Sequence, residues 1–330
     1  MSLFLSDFQK VRPSNEYAQD AIFEKITAPS IAKQARKYSC SSDHIGFRSM
    51  FAPLQAELLG ELKMEERTSI FQNEANSIFE HFYANAKLPD ELIHVTCTGY
   101  HSPSAAQLAM AKRGGNTAVT HVYHMGCLAA IPAIKIGMGF LASGKKQVDV
   151  IHTELCSLHY NPKIQTPEQF VAHSLFADGA IKYTLSLSGS GFRVLAIHEQ
   201  IIPSTGDQMS WTPESWGLKM TLSKKIPFSI ASTIGSFVER LTKDHKLENP
   251  LFAIHPGGPK IIEAVVNKLS LSEKQVESTR KILYNYGNMS SATLPHIWEE
   301  ILESYPVGTD VVSLAFGPGL TLCGILLRKE

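Results

Sequence analysis

Several features that would indicate particular classes of protein are missing from this chain of 330 residues. Neither charge is in excess, since 31 Lys and Arg balance 31 Asp and Glu, which argues against nucleic acid or an anionic membrane as the main partner. The longest apolar runs, near Leu128 and Leu314, are interrupted by Gly, Pro or Lys and are too short to span a bilayer. The first residues lack the basic and apolar segments of a signal peptide, so we expect a cytoplasmic protein.

Cysteine pairs are also missing. The five cysteines are odd in number and widely spaced, with no CxxC pair, and they are Cys40, Cys97, Cys127, Cys156 and Cys323. This pattern fits a reducing compartment and leaves at least one thiol free for chemistry. No metal site is predicted, because His121 and His124 have no Cys or carboxylate partners nearby in the sequence.

One of these cysteines precedes an apolar segment of helical length. Residues 128–141 are small or apolar except for Lys135, which predicts a buried helix with Cys127 at or just before its N-terminus. Unpaired N–H groups and the positive end of the helix dipole favour a thiolate there. Taken alone, the position fits a nucleophile and a buried structural cysteine equally well.

Two further residues lie where chemistry is often placed. His255 ends a short apolar strand and is followed by Pro-Gly-Gly-Pro, which forces the backbone out of regular structure. Asn288 lies between Gly287 and the start of a helix, where its amide could stabilise an oxyanion or only cap the helix. Together with Cys127 they could serve either amide hydrolysis or acyl transfer followed by carbon–carbon bond formation.

Helices and strands alternate along the chain, which indicates an α/β fold. Both halves end in a pair of strands, at residues 181–202 and 310–328, and we interpret this as a weak internal duplication. The first pair is predicted to form a hairpin across residues 188–191. We expect an N-terminal half, 1–203, carrying the cysteine and a C-terminal half, 204–330, carrying the histidine and the asparagine.

Five segments resemble motifs of the thiolase-superfamily condensing enzymes, above all chalcone and stilbene synthase-like type III polyketide synthases, with ketoacyl-ACP synthase III next. In chain order they are MGCLAAIPAIKI, LFADGA, FAIHPGGPKIIE, YGNMSSATL and FGPGLT. The resemblance implies a duplicated, thiolase-like αβαβα layered fold, a homodimer and no metal or organic cofactor. A papain-like hydrolase would lack these segments.

The resemblance also implies a mechanism. Cys127 would take an acyl group from a thioester of coenzyme A or of an acyl carrier protein. His255 and Asn288 would then hold a malonyl thioester, promote loss of CO2 and stabilise the enolate that attacks the acyl-cysteine. An ion pair between Cys127 and His255 would keep the thiolate at neutral pH.

Other residues are assigned to substrate binding through the resemblance. Arg48 is the remaining cation of the coenzyme A segment, and His101 lies in the loop that reaches across the dimer as a candidate base. His159 and Met220 stand at or near the positions of two gatekeeping phenylalanines. The final loop supplies Phe316, Gly317, Pro318 and Gly319.

These departures from the plant-type pattern favour fatty acyl or β-ketoacyl starters and a pyrone, resorcinol-like or β-keto product of secondary metabolism. Two alternatives stay open at this point. One is a 3-oxoacyl synthase that performs a single condensation. The other is a non-catalytic ketosynthase-like subunit, which the presence of Cys127, His255 and Asn288 disfavours.

Overall fold

The computed structural model describes residues 2–330. Its strands are β1 (Leu3–Val11), β2 (Asn15–Ala18), β3 (Phe47–Met50), β4 (Glu91–Thr96), β5 (Ala118–Tyr123), β6 (Val148–Leu155), β7 (Asp178–Ser186), β8 (Phe192–Ile201), β9 (Met209–Glu214), β10 (Gly217–Leu222), β11 (Leu251–Ile254), β12 (Asp310–Gly317) and β13 (Thr321–Lys329). Its helices are α1 (Gln19–Ile26), α2 (Ala32–Ala35), α3 (Ala56–Glu61), α4 (Met64–Tyr83), α5 (Ala105–Arg113), α6 (Ala130–Ala142), α7 (Pro167–Leu175), α8 (Ile226–Thr242), α9 (Pro259–Leu269), α10 (Glu277–Tyr286) and α11 (Thr293–Ser304).

One nine-stranded sheet contains the same arrangement of strands twice. Its order is β11-β12-β13-β8-β1-β7-β6-β4-β5. In the first unit β4 is parallel to β6, β6 is antiparallel to β7, and β7 is antiparallel to β1. In the second unit β11, β12, β13 and β8 repeat these orientations, and β5 has no counterpart. This repeat supports the duplication that the sequence only suggested. The boundary at 203/204 stays a prediction, although β8, which precedes it, lies with the second unit.

The apolar contacts divide the molecule into five layers. Helices α4 and α5 pack on the outer face of the first unit, through Phe79, Ala106 and their neighbours. Helices α8 and α9 cover the second unit. Between the two units lie α6 and α11, in the largest apolar cluster. The αβαβα layering predicted from the resemblance is therefore confirmed.

Close approach to the central layer depends on a glycine in α6. A Cβ added to Gly137 would lie 2.3 Å from Cδ1 of Leu185 on β7, so a larger residue would push the helix off the sheet. The opposite side of α6 is not buried as the sequence predicted: Lys135, Ile136, Met138 and Gly139 are exposed.

Three local predictions were wrong. Strands β7 and β8 do not form a hairpin, because β1 lies between them and pairs with both. The sequence of residues 15–33 predicts one helix, but these residues form β2 and shorter helical pieces. The sequence of residues 204–216 predicts a loop, but these residues include β9, which pairs with β10.

None of the helices within residues 2–330 is both long and apolar enough to cross a membrane.

Candidate active site

Cys127 lies where the two central helices begin. It belongs to a short 3-10 turn, Gly126–Leu128, that leads into α6, while a similar turn, Ser290–Ala292, leads into α11. The two turns contact each other because α6 and α11 share the central layer. Residues from the two halves of the chain therefore meet where these two helices begin.

Polar groups of the second turn face the Cys127 sulfur. Its Sγ donates to Oγ of Ser290 at 3.7 Å, and the Asn288 side chain lies close enough to lower the pKa of the thiol. The Asn288 Oδ1 accepts the Ser290 N–H at 2.8 Å, which leaves the NH2 group to face the sulfur. Ser290 has a positive φ of 50°, a costly conformation for a residue other than glycine and one that is found mostly at functional sites.

The thiol is neutral in this conformation. Desolvation raises the pKa of Cys127 to about 12, while hydrogen bonds from Ser290 and Asn288 oppose the shift and the charge of Glu154 adds to it. Attack on a thioester must therefore be coupled to removal of the thiol proton.

His255 follows β11 at the same end of the sheet. It is 1% exposed, and its backbone N–H donates to the Leu314 carbonyl at 2.7 Å. Neither ring nitrogen has a hydrogen-bond partner within residues 2–330. Burial lowers the pKa of His255 to about 3, so the ring is neutral. Together with the raised pKa of Cys127, this disfavours the predicted ion pair in this conformation.

A buried carboxylate, which the sequence analysis did not assign, lies behind the two turns. Glu154 accepts the Cys97 N–H at 3.0 Å and the Thr98 hydroxyl at 2.9 Å on one oxygen. Its other oxygen accepts the Ser291 N–H at 3.3 Å and the Ser291 hydroxyl. Glu154 thus connects the end of β4 to the turn that follows Asn288. Glu154 is the second of two acids in the fully buried strand β6, after Asp149, and an acid at the carboxyl end of such a strand was the signal that could have revealed it.

Cys97 supports the nucleophile turn directly. Its Sγ accepts the Gly126 N–H at 3.0 Å, next to Cys127 in sequence. Gly126 has φ 76°, and a Cβ there would also lie 2.6 Å from Cδ of Pro318. Only glycine fits this position, because a side chain would disfavour the positive φ and would clash with Pro318.

The final loop packs on the same turn. A Cβ on Gly317 would lie 2.5 Å from Cδ2 of Leu128, and Phe316 is buried beside it at the end of β12. Gly319 has φ 126°. Gly317 and Pro318 thus pack against the nucleophile turn, and the substrate-binding role of Phe316 to Gly319 stays a prediction.

A small cavity lies between α7 and the β9–β10 hairpin. About 10 Å³ of it is open to the centre of a water molecule, which is room for about one water. Its lining residues are Cys156, His159, Tyr160, Gln169, Ala172, His173, Phe176, Trp211, Leu218 and Met220. His159 and Met220 were predicted as cavity residues, whereas Trp211 and Phe176 were missed.

Two lining residues are fixed by hydrogen bonds. His159 bonds through Nε2 to the Thr98 carbonyl at 2.7 Å and accepts the Leu218 N–H on Nδ1 at 3.1 Å. The Trp211 indole N–H donates to the Cys97 carbonyl at 2.8 Å. Because Cys97 also contacts the nucleophile turn, the indole ties the cavity wall to the site.

Two predicted residues lie apart from Cys127. Arg48 is fully buried, and its Nη1 donates to the Tyr160 hydroxyl at 2.7 Å and to the His173 and Phe176 carbonyls. It thus lies behind the cavity wall, a position that does not favour contact with coenzyme A. His101 lies in the loop after β4, with Nδ1 3.1 Å from the Pro103 carbonyl, and no hydrogen bond or ring contact within residues 2–330 joins it to Cys127. Its role as a base stays a prediction.

No group of three or more His, Cys, Asp or Glu within the described residues is placed to hold a metal ion.

Comparison with known proteins shows which proteins this chain is similar to. Residues 193–329 match the family of chalcone and stilbene synthases, C-terminal domain. A probable polyketide synthase of Dictyostelium discoideum is 32% identical over 72% of this chain, and type III polyketide synthase A of Arabidopsis thaliana is 27% identical over 72%. This chain is a homologue of the type III polyketide synthases. The resemblance predicted from the five motifs is therefore confirmed.

The matched region is 8% of the Dictyostelium protein and 65% of the Arabidopsis protein, so this homologue covers less than two thirds of these relatives.

Solved structures match over nearly the whole chain. The C-terminal type III domain of Steely1 from Dictyostelium has a TM-score of 0.90 at 22% identity, covering 100% of this chain and 99% of that one. Tetrahydroxynaphthalene synthase of Streptomyces coelicolor has 0.88 at 21%, covering 99% of both chains. These likenesses confirm the thiolase-like fold.

Proposed function

We propose that this homologue of the type III polyketide synthases is a decarboxylating condensing enzyme in which Cys127 carries the acyl group. The observation that supports this most strongly is the meeting of the Cys127 sulfur with the Ser290 hydroxyl and the Asn288 amide at the start of two central helices. His255, with both ring nitrogens free of protein partners, lies at the same end of the sheet.

The first step is acyl transfer. The Cys127 sulfur forms a bond to the thioester carbonyl, and the thiolate of the donor leaves. The thiol proton passes to the leaving thiolate, and we assign its relay to the neutral His255 ring, which takes up a proton on one nitrogen as it gives one up from the other. The acyl-cysteine that results is neutral, which suits a desolvated site.

The second step is condensation. A malonyl thioester loses CO2, and the electron pair of the broken bond forms an enolate. Its oxygen is stabilised by N–H donors from Asn288 and His255, held in place before the charge develops. The enolate carbon then bonds to the acyl carbonyl carbon, and the Cys127 thiolate leaves and takes up a proton from solvent as the product departs. Neither step requires an organic cofactor or a metal.

The starters proposed are thioesters of coenzyme A or of an acyl carrier protein, and the products are polyketides such as pyrones or resorcinols. Incubation with acyl and malonyl thioesters, followed by mass spectrometry of the products, tests this. Products extended by several two-carbon units support the proposal, whereas a single extension would identify a 3-oxoacyl synthase. If no donor gives a product or CO2, the result would contradict the proposed catalysis and favour the alternative of a non-catalytic ketosynthase-like subunit.

Loss of CO2 from malonyl thioester isolates the second step. We expect Asn288→Ala and His255→Ala to release CO2 at least about 100-fold more slowly, the size of effect seen when one oxyanion donor is removed. Asn267→Ala on α9 and His245→Ala after α8 are matched controls at exposed or half-exposed positions, and should retain the wild-type rate. Equal loss in the controls would contradict the assignment.

We propose a homodimer formed through β5. This strand is one of the two edges of the sheet, and none of its residues, Ala118–Tyr123, is Lys, Arg, Asp or Glu, the charges that commonly prevent edge pairing. Tyr100, Met125 and Met138 are exposed on neighbouring segments, 66%, 38% and 43% respectively. Val119→Lys should convert the dimer to a monomer in sedimentation analysis, and an unchanged mass would contradict this interface.

We also propose that the protein acts in the cytoplasm, where thioester donors are available. All five cysteines are free thiols.

A further inference from the structure

A buried histidine that the proposed mechanism does not use lies on β6, close to Glu154 in sequence. The side chain of this residue, His152, is 0% exposed, and its ring stacks on that of Tyr183 with the ring centres 5.8 Å apart. Burial lowers the pKa of His152 to about 3, so the ring is neutral and carries one N–H group and one bare nitrogen. Such a ring is costly to bury unless both nitrogens are paired.

Both nitrogens of His152 have hydroxyl partners. Nδ1 lies 3.0 Å from Oγ of Ser291, and Nε2 lies 3.4 Å from the Tyr183 hydroxyl. A hydroxyl can either donate or accept, so these two distances fit a hydrogen on either nitrogen. The other partner of Ser291 decides between them.

That other partner is Glu154. Its carboxyl group faces four donors, two backbone N–H groups and two hydroxyls, and these hold it as a carboxylate against the rise in its pKa that burial causes. A carboxylate only accepts, so the single hydrogen of the Ser291 hydroxyl points to Glu154. The Ser291 Oγ then accepts from His152, which places the ring hydrogen on Nδ1. Nε2 is left to accept from the Tyr183 hydroxyl.

The Ser291 hydroxyl belongs to the turn on which the proposed mechanism depends. This turn, Ser290–Ala292, contacts the nucleophile turn, and its first N–H donates to Oδ1 of Asn288 at 2.8 Å. If the hydroxyl rotated away from Glu154, the turn would keep the longer Ser291 N–H bond to this carboxylate, at 3.3 Å. The direction of one hydroxyl therefore affects how firmly Asn288 is held.

We infer that His152 is a positioning residue whose Nδ1–H holds the Ser291 hydroxyl on Glu154. His152 thereby keeps Asn288 aligned with the position of the enolate oxygen. It acts through Ser291 and not by contact with the substrate. This inference rests on the proposed function, because alignment of a donor matters when charge develops on that oxygen.

The test measures CO2 release from a malonyl thioester by three variants, His152→Ala, His152→Asn and His152→Gln. The Asn side chain places an amide N–H near the position of Nδ1, where it can donate to Ser291. The longer Gln side chain places its amide near the position of Nε2 and leaves Ser291 without this donor. A histidine that only fills space would give two amide variants of similar activity.

The matched control is His94→Ala on β4. His94 is also 0% exposed and lies between two hydroxyls, with Nε2 2.7 Å from that of Thr153 and Nδ1 2.8 Å from that of Tyr123. Its ring packs on Phe79 of α4, in the outer helical layer. The control thus removes a similarly buried and similarly paired ring on the side of the sheet away from the nucleophile turn.

We expect kcat for CO2 release to fall at least about fivefold in His152→Ala and His152→Gln, the effect of losing one net hydrogen bond. His152→Asn and His94→Ala should stay within about twofold of the wild type, and KM for the malonyl thioester should change less than about twofold in all four variants. Adding His152→Ala to Ser291→Ala should lower kcat less than about twofold further, because the histidine acts through that hydroxyl.

Three kinetic results would overturn the inference. They are equal kcat values for His152→Asn and His152→Gln; a loss in His94→Ala as large as that in His152→Ala; and losses that multiply when His152→Ala is combined with Ser291→Ala.

A nitrogen NMR spectrum of the wild type with isotope-labelled histidine tests the hydrogen position without catalysis. The signals of His152 are those that are absent from the spectrum of His152→Asn. We expect the hydrogen on Nδ1, and a hydrogen on Nε2 would refute the inference. The spectrum also separates the two failures, because a hydrogen on Nδ1 in a wild type that releases no CO2 would contradict the proposed function and uphold the hydrogen bond from His152 to Ser291.

Discussion

Asp178 allows a quantitative prediction of how stability depends on pH. Its side chain is buried, and the carboxylate accepts the Ser157 N–H at 2.8 Å, the Ser157 hydroxyl at 2.8 Å and the Phe51 N–H at 3.0 Å. Burial raises the pKa of Asp178 from 3.8 to about 7, since these hydrogen bonds offset only part of the desolvation. Near neutral pH the folded protein therefore keeps a proton on Asp178 that the unfolded chain, with a pKa of 3.8, has already released.

The sign and size follow from this difference. Because the folded pKa lies above the unfolded value, the contribution to stability is fully present below pH 3.8 and is lost as the pH rises through about 7. A difference of about three pH units, at about 1.4 kcal/mol each, gives about 4 kcal/mol. About 3 kcal/mol of this is lost between about pH 5 and 8.

Urea unfolding of the wild type and of Asp178→Asn, at several pH values across this range, measures the effect. In Asp178→Asn the side-chain NH2 group faces the Phe51 N–H, so two donors meet. This lowers the free energy of unfolding of the variant by about 1–3 kcal/mol, an amount that does not change with pH. Other groups titrate in both proteins and cancel in the difference. We expect the wild-type advantage to shrink by about 3 kcal/mol as the pH rises. A difference that is constant with pH would refute the reasoning.

Three further predictions concern the site. Glu154→Ala leaves the buried N–H groups of Cys97 and Ser291 without acceptors, so urea unfolding should show a free energy of unfolding lower by about 2–6 kcal/mol. A loss below about 1 kcal/mol would contradict the role of Glu154 in joining β4 to the turn before α11. Ser290→Ala removes a hydrogen bond to the thiol and should slow alkylation of Cys127 by iodoacetamide about 2- to 10-fold, and a faster reaction would oppose this. Trp211→Ala should enlarge the cavity and lengthen the products seen by mass spectrometry, and unchanged products would exclude Trp211 as a limit on chain length.

The parts of the fold that sequence predicted depend on local patterns. The sequence predicts a helix cap at Ser102 or Ser104, and the Oγ of Ser104 accepts the Gln107 N–H at 3.2 Å at the start of α5. Apolar runs bounded by turn residues predict strands at 92–97, 251–254 and 310–315, and β4, β11 and β12 lie within a few residues of these positions. In each case the signal lies within one segment of the chain.

The parts that were missed depend on contacts between distant segments. Strand β1 lies in the middle of the sheet, yet its pattern is broken by a change of register between Ser6 and Gln9, where Asp7 has φ 51°. Its partners β7 and β8 lie far along the chain, and local periodicity cannot predict that it separates them. Strand β9 was missed for a different reason: its partner β10 is adjacent in the chain, but its side chains are half-buried or exposed, so it has no apolar run.

The sequence predicted only part of the candidate site, and the rest was missed for a related reason. Cys127, His255 and Asn288 stand in recognisable motifs at the ends of helices and strands. Cys97, Glu154 and Ser290 act through hydrogen bonds that join β4, β6 and the turn before α11, and no spacing in the sequence relates them. The neutral state of Cys127 and His255 likewise depends on how much water the surrounding layers exclude.

The most direct test of the proposed mechanism is the intact mass of the protein after mixing with a panel of acyl-CoA and acyl carrier protein donors. We expect one acyl adduct on the wild type and on Cys40→Ala, a control at another partly exposed cysteine, and none on Cys127→Ala. An acyl adduct that persists in Cys127→Ala would contradict the central claim.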